Sequence, residues 1–293
     1  ILKRGGTPYT IDAPYSKKWL LQYNDGEREF YPSEKLLHHF IDVEKQDLSL
    51  EKIGFIKTNF HFEIPKINRE IIKSYHETRN FPTTKTSEMS VHLRFGTISI
   101  RKLAHEAAQL NETYLKELIW REFFMQILYH FPKVVHESFK RKYDQILWLY
   151  DEENLKKWQE GKTGYPIVDA GMRELNETGF MHNRVRMVCA SFFTKHLLMD
   201  WRIGEAYFAE KLMDYDLSAN NGNWQWSAGT GCDSAPYFRV FNPEEQQKKF
   251  DPAFKYIKKW IKEFGTKEYP KPIVEHKFAR LRALETYKKG LQE

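Results

Sequence analysis

The stretch Tyr114–Phe131, "YLKELIWREFFMQILYHF", decides the fold class. Its apolar residues recur at the three- and four-residue spacing of an α-helix rather than alternating as in a strand. The runs "YPIVDAGMRELNETG" (165–179), "NRVRMVCASFFTKHLLMDW" (183–201) and "GEAYFAEKLM" (204–213) read the same way. The main body is therefore expected to be mainly α. The opening "GGTPYTIDAPYSKKW" (5–19) reads as a short β-prone segment between turn signals, leading into a helix. From Gly26 to about Pro65 the chain is polar and mixed, as expected of a connection that is helical only around Ser33–Phe40. The tail "EHKFARLRALETYKKGLQE" (275–293) predicts a charged, solvated surface helix.

Helical spacing also sorts the polar residues. Glu117, Trp120, Arg121 and Phe124 fall at i, i+3, i+4 and i+7 and share one face. Such a face suits either an ion-paired surface or the wall of a cleft. Asn183, Arg186 and Met187 share another face, with Arg184 pointing elsewhere, just ahead of a nearly continuous apolar run. That position fits a cleft rim.

The chain has 293 residues, enough for one large domain or two ordinary ones, and 15% aromatic residues supply a substantial core. The net charge of +6 is compatible with a polyanionic partner without demonstrating one. Cys189 and Cys232 stand far apart, outside any zinc or disulfide spacing, so no metal site is expected and a reducing compartment is the simpler reading. No signal peptide and no apolar run of membrane-spanning length is visible. The chain starts at Ile1 without an initiator methionine, as expected of a piece of a longer protein.

"DYDLSANNGNWQW" (214–226) sets two acids, several amides and two indoles side by side, with no basic residue of its own to pair the acids. Buried acids are costly unless partnered, so a partner must come from elsewhere. Its Asn-Gly step predicts a tight backbone in the middle. In "TKTSEMS" (84–90), Thr86, Ser87 and Ser90 offer hydroxyls that can cap a helix, and helix starts also receive phosphate groups. No dinucleotide-binding, P-loop, nucleophile-elbow or HExxH motif is present. Spacing and charge alone identify no reaction.

Four stretches do: "WREFFMQILYHFP" (120–132), "WQEGKTGYPIVDAGMRELNETGFMHNRVRM" (158–187), "DYDLSANNGNWQW" and "DSAPYFRVFNP" (233–243) resemble the flavin-binding domain of the photolyase/cryptochrome family. The resemblance runs from about Pro14 to the C-terminus. It implies a helical pocket holding FAD, active as FADH⁻, with Asp214, Tyr215 and Asp216 against the flavin, Arg186 beside them and Asn220 facing N5. Thr86, Ser87, Glu88, Met89 and Ser90 resemble the phosphate-binding segment, and Tyr75, Tyr114 and Arg121 further cofactor contacts. Tyr114 stands where relatives often carry tryptophan. Trp224, Trp201 and Trp148 match the proximal, middle and surface members of an electron-transfer chain.

On the substrate side the resemblance gives Glu117 as the carboxylate that bonds the damaged bases and Trp120 as the indole under the flipped lesion. Asn183 and Met187 line the same pocket, with Phe124, Arg121 and Trp226 nearby and Arg184 and Arg239 toward the DNA backbone. Photolyases are among the enzymes known to extrude their target nucleotide. Enzymes for (6-4) photoproducts carry histidines at Asn183 and Met187, and plant-type cryptochromes an aspartate at Asn220, so the resemblance is to class I cyclobutane pyrimidine dimer photolyases. The implied reaction is light-driven electron transfer from excited reduced FAD to a flipped-out dimer; a blue-light photoreceptor signalling through a protein partner is the alternative.

The same resemblance implies UV-damaged DNA as partner, no membrane, no obligate protein partner, a monomer, and a cytoplasmic, bacterial setting. It divides the chain into the end of an antenna-type α/β domain with the start of the linker (1–20), the linker and a helical connection (21–65) and the helical FAD-binding, catalytic domain (66–293). A folate or deazaflavin antenna is expected only in the α/β domain, most of which this chain lacks.

Overall fold

The computed structural model describes residues 1–26, 33–44, 48–58 and 63–292. Its first half holds α1 (Asp12–Asp25), α2 (Arg69–Lys73), α3 (Tyr75–Thr78), α4 (Met89–Phe95), α5 (Ile100–Leu110) and α6 (Glu112–His130). The second holds α7 (Glu152–Gln159), α8 (Pro166–Thr178), α9 (Asn183–Ser191), α10 (Trp201–Lys211), α11 (Leu217–Ala228), α12 (Pro243–Phe250), α13 (Lys255–Trp260) and α14 (His276–Gln292). No strand forms among the described residues, and the β-prone opening reduces to an isolated bridge between Leu2 and Pro8. A 3-10 turn at Ser33–His39 occupies the helical part expected of the connection.

Two large hydrophobic clusters carry the body, and a smaller third gathers Tyr143, Ile146, Leu198, Ala283 and Tyr287. The first joins α1, α5 and α6 through Tyr15, Leu103, Ala107, Leu115, Ile119 and Phe123. α6 is apolar around most of its circumference and is accordingly packed on several sides. Asn111 caps its start, the side-chain oxygen accepting from the Tyr114 amide at 3.1 Å. The second cluster joins α8, α9, α10, α11 and α13 through Val168, Val185, Phe193, Trp201, Phe208, Trp224 and Ile257.

Three local expectations need correction. The run 183–201 is not one helix: α9 ends at Ser191, a π-turn spans Phe192–His196, Leu198 takes φ +55°, and Asp200 caps α10. Apolar residues flank the break on both sides and its polar Thr194, Lys195 and His196 are buried as well, so the apolar pattern does not mark it. The Asn221–Gly222 step is not a turn but lies inside α11, because α11 approaches α6 closely there: a Cβ on Gly222 would lie 2.1 Å from the Phe124 ring. Finally, α14 is not a merely solvated surface helix. It buries Ala279, Ala283 and Tyr287, and the Tyr287 hydroxyl donates to the Ala228 carbonyl at 2.8 Å.

Candidate active site

Between the two clusters lies a cavity of about 470 Å³, within the roughly 300–1,000 Å³ usual for ligand and cofactor sites. One wall is the polar face of α6 with the 75–90 segment, contributing Tyr75, Thr86, Ser87, Glu88, Met89, Ser90, Tyr114, Glu117, Trp120, Arg121 and Phe124. The opposite wall is the start of α9, the turn leading into α11 and one side of α11, contributing Asn183, Arg186, Met187, Asp214, Asp216 and Trp226. A smaller space of about 90 Å³ adjoins it, sharing Asn183, Arg186, Met187, Asp214 and Asp216 and adding Tyr215, Asn220 and Trp224. The expected cofactor contacts, together with Glu117, Trp120, Phe124, Asn183, Met187 and Trp226, thus line these two spaces from segments far apart in the chain, whereas Trp148, Trp201, Arg184 and Arg239 line neither.

The missing partner of the acids in 214–226 comes from α9. Arg186 donates to both Asp214 oxygens, Nη1 at 3.1 Å and Nη2 at 2.9 Å, while its Nε donates to the Met181 carbonyl at 2.7 Å. Burial opposes charge on Asp214 most strongly. Arg186, the Ser90 hydroxyl and the backbone together still hold its carboxyl below the ordinary value. Asp216 caps α11, accepting from the Ala219 amide at 3.0 Å and from the Ser218 hydroxyl. The cap pins the backbone at the junction of the two spaces.

Glu117 has a different setting. Its Oε1 meets Arg79 Nη1 at 2.6 Å, and both side chains remain about one-third exposed. Burial pushes this carboxyl up, only partly offset by Arg79, and Asp12 of α1 adds to the rise. Arg79 in turn lies over the Tyr75 ring at 5.3 Å, and Tyr75 meets Tyr114 edge-on at 5.0 Å. The Tyr114 hydroxyl donates to Ser87 Oγ at 3.0 Å.

The hydroxyl cluster does not cap a helix. α4 begins at Met89 with Glu88 in the cap position at φ +52°, and no side-chain cap bond forms there. A non-glycine residue in the left-handed region carries strain of about 1 kcal/mol or more, which sites for ligands commonly hold. The strained turn leaves the α4 start uncapped while Thr86, Ser87 and Ser90 line the cavity.

Asn220 lies in the smaller space, not the main cavity. Its Nδ2 donates to Glu205 Oε1 at 2.9 Å and to the Glu205 carbonyl at 3.1 Å. With the amide nitrogen so committed, Oδ1 is the acceptor left for a ligand. Arg184 and Arg239 do not line either space. Arg184 donates to Asn80 Oδ1 at 3.2 and 2.6 Å and covers the Phe250 ring, while Arg239 is exposed on a turn closed on Pro236. His182 caps α9 and accepts from the Arg184 amide at 3.1 Å. Burial, with Arg186 and Arg184 nearby, lowers its pKa to about 4, so it is neutral near pH 7.

Of the tryptophans, Trp224 and Trp201 are buried in the second cluster, and Trp148 packs at its edge and against Tyr287 at 5.7 Å. Trp224 alone of the three lines the smaller space; Trp201 is wholly buried behind it in the cluster and Trp148 only partly so. α10 passes so close to Trp224 that a Cβ on Gly204 would lie 2.2 Å from the indole. Sequence reasoning missed Arg79, Arg94, Glu205 and Trp158. Arg94 Nε donates to the Tyr215 carbonyl at 2.6 Å, tying α4 to the opposite wall, and Trp158 meets Trp224 at 6.2 Å. Among the described residues no cluster of metal-ligating side chains occurs, and no helix is long and apolar enough to cross a membrane.

The donor set suits a flavin dinucleotide. It offers a fixed carboxylate–guanidinium pair, a hydroxyl-rich strained turn for phosphate, aromatic rings for flat faces, and an amide oxygen deep in the wall. Residues 114–266 match the family described as the FAD binding domain of DNA photolyase. The chain is 38% identical to a deoxyribodipyrimidine photo-lyase of Escherichia coli, covering 95% of this chain and 67% of that one. Its fold superposes on a bacterial class III photolyase from Agrobacterium tumefaciens with a TM-score of 0.82 and 32% identity, covering 100% of this chain and 71% of that one. An archaeal photolyase from Sulfolobus tokodaii, solved with two FAD molecules, matches with a TM-score of 0.70 and 43% identity over 75% of this chain and 56% of that one. The chain belongs to the DNA photolyase family and comprises its helical FAD-binding domain.

Proposed function

We propose that this chain repairs cyclobutane pyrimidine dimers in UV-damaged DNA by light-driven electron transfer. The observation that carries the reading is the shared cavity: the half-exposed face of Glu117 and Trp120 opens into the same space as the buried Arg186–Asp214 pair, with Asn220 and Trp224 in the adjoining annex.

When bound, reduced FAD supplies the photoexcited electron donor. The residues in contact with it would be Tyr75, the Thr86–Ser90 turn, Tyr114, Arg121, Arg186, Asp214–Asp216 and Asn220. The Arg186–Asp214 pair keeps a fixed charge distribution in the buried wall, and Asn220 Oδ1, oriented by Glu205, presents an acceptor. Trp120 offers a stacking surface, worth roughly 1–3 kcal/mol per base, against the few kcal/mol that extrusion of a damaged step costs. Glu117 reaches polar edges of a dimer seated there. Trp224, Trp201 and Trp148 form the route by which an electron passes inward from the surface.

Asn183, Met187 and Asn220 support the class I placement and a dimer rather than a (6-4) photoproduct as substrate. Arg184 and Arg239 contact the DNA backbone from outside the cavity. The segments 1–20, 21–65 and 66–293 serve as domain end, linker and catalytic domain, with Tyr15 and Trp19 fastening the first segment to Glu122 of α6 at 2.8 and 2.9 Å. The protein works as a monomer in the bacterial cytoplasm.

The test is blue-light treatment of a thymine-dimer oligonucleotide with the purified chain, loaded with FAD and reduced anaerobically. Loss of the dimer in light, with a dark control and a (6-4) oligonucleotide unchanged, supports the reading. An unchanged dimer with folded, flavin-loaded, reduced protein refutes it.

A further inference from the structure

The repair reading gives Glu117 a task but leaves its ion pair with Arg79 unexplained. In the substrate-free cavity the carboxylate is occupied: Arg79 Nη1 lies 2.6 Å from Oε1. An acid held this way accepts hydrogen bonds and donates none. The pyrimidine carbonyls of a flipped dimer are acceptors, so a donor is needed opposite them.

The surroundings show what could separate the pair. Arg79 leaves its short helix for the cavity rim and remains 28% exposed. Arg184 lies near enough that its own charge is disfavoured by burial and then by Arg79. Asn80, the hydrogen-bond partner of the Arg184 guanidinium, is neutral. The Arg79 guanidinium at the rim therefore has a second guanidinium, that of Arg184, close by outside the cavity, and Glu117 is the acid paired with the first. A nucleic-acid phosphate arriving at that rim competes directly with Glu117 for Arg79, and arginine binds phosphate in charge-assisted pairs.

The groups facing Glu117 favour protonation once Arg79 withdraws. Tyr75 flanks it from the Tyr75–Thr78 helix, and Asp12 of α1 adds a like charge. Arg121, one turn further along α6, has its Nη2 committed to the Leu93 carbonyl at 3.3 Å. His182, across the cavity, is neutral near pH 7. Burial of the carboxyl is then opposed by little, and a flipped dimer buries it further.

We propose that a phosphate of the damaged strand draws Arg79 away from Glu117, and that the freed carboxylate takes one proton from solvent and becomes the hydrogen-bond donor to the flipped pyrimidines. Arg79 keeps its charge throughout; the one proton gained is on a Glu117 oxygen. Arg79 is thus a positioning residue that couples phosphate capture to the protonation state of the substrate-binding acid. This rests on the repair reading.

The experiment is dark binding of the flavin-loaded chain to a thymine-dimer oligonucleotide and to its undamaged counterpart across the neutral pH range. Calorimetry in buffers of different ionisation enthalpy counts the protons taken up. Uptake of one proton on binding only the damaged strand is expected, with Kd weakening by about tenfold per pH unit in the window between the free and bound pKa of Glu117. Arg79→Gln removes the charge that holds the free carboxyl down, so less proton uptake is left for binding and the pH slope flattens, as does that of Glu117→Gln; Arg79→Lys retains it. Preference for the dimer without proton uptake, or undiminished uptake in Arg79→Gln or Glu117→Gln, overturns the proposal while leaving the repair reading intact. No preference for the dimer at any pH overturns both.

Discussion

Asp214 and Glu117 stand on opposite walls of one cavity, and each meets an arginine, yet their carboxyls are displaced in opposite directions. Asp214 is almost wholly buried, with 4% of its side chain exposed, and both its oxygens accept from a guanidinium whose third nitrogen is tied to the Met181 carbonyl. Glu117 is half-buried and has one close contact to an arginine at the rim. Desolvation is the largest single influence on both carboxyls; at Asp214 the bidentate, anchored Arg186, the Ser90 hydroxyl and the backbone together outweigh it, whereas the single Arg79 contact at Glu117 does not. The α9–α11 wall is consequently a fixed charge arrangement suited to holding a cofactor. The α6 wall is an adjustable one suited to a substrate that comes and goes.

The difference can be broken most severely from the deep wall. Arg186→Met leaves Asp214 buried without its partner and should cost about 3–5 kcal/mol, read as a fall in the urea midpoint, together with loss of bound flavin on gel filtration. A cost within error of zero would mean that the pair is not what fixes this wall. Next is Gly204→Ala, which pushes a methyl into the Trp224 indole. Overpacking of this kind costs about 1–3 kcal/mol, and thermal melts should show it, with a change in flavin absorbance because Trp224 lines the annex.

A smaller effect sharpens the other wall. Tyr114→Phe removes the hydroxyl that donates to Ser87 and should cost about 1 kcal/mol, seen as weaker flavin affinity with little change in dimer affinity. The acids themselves give the finest distinction, through pH. The depressed carboxyl of Asp214 contributes stability that is present above its unfolded pKa and lost as pH falls through the folded one. The raised carboxyl of Glu117 acts in reverse, so stability falls as pH rises from its unfolded to its folded pKa. Glu117→Gln should therefore remove a small gain seen on mild acidification, less than about 1 kcal/mol at this half-exposed position. Urea titrations at several pH values, wild type against variant, would show whether that gain exists.

The proposed electron route adds a separate test, away from both walls. Trp201→Phe should impair light-driven flavin reduction and leave repair by chemically pre-reduced protein intact. Loss of repair in folded, verified pre-reduced protein would contradict the division of roles.

Much of this was legible in the sequence because helices write their spacing into it: α6, α8 and α10 lie where apolar periodicity placed them. The resemblance supplied much of the cavity lining between Tyr75 and Trp226, which the structure assembles from both walls. What stayed hidden depends on contacts between distant segments. Arg79 is one charged residue in "SYHETRNFP" until α6 folds beside it and brings up Glu117. Glu205 looks like a solvated helix residue until α11 packs on α10 and Asn220 donates to it. The glycine after Asn221 suggests a turn, whereas its reason is the ring of Phe124 on another helix. The break at Phe192–His196 is masked because the residues around it are all buried and apolarity alone does not distinguish one backbone path from another.

The most direct measurement of the two-wall account sets Arg186→Met beside Glu117→Ala and reads bound flavin per chain and the affinity ratio of dimer to undamaged DNA in both. The account predicts a crossed pattern: Arg186→Met loses flavin, whereas Glu117→Ala keeps it and loses about 1–3 kcal/mol of dimer discrimination. If Glu117→Ala lost flavin as readily as Arg186→Met, or if Arg186→Met retained it fully, the separation of cofactor wall from substrate wall would be contradicted.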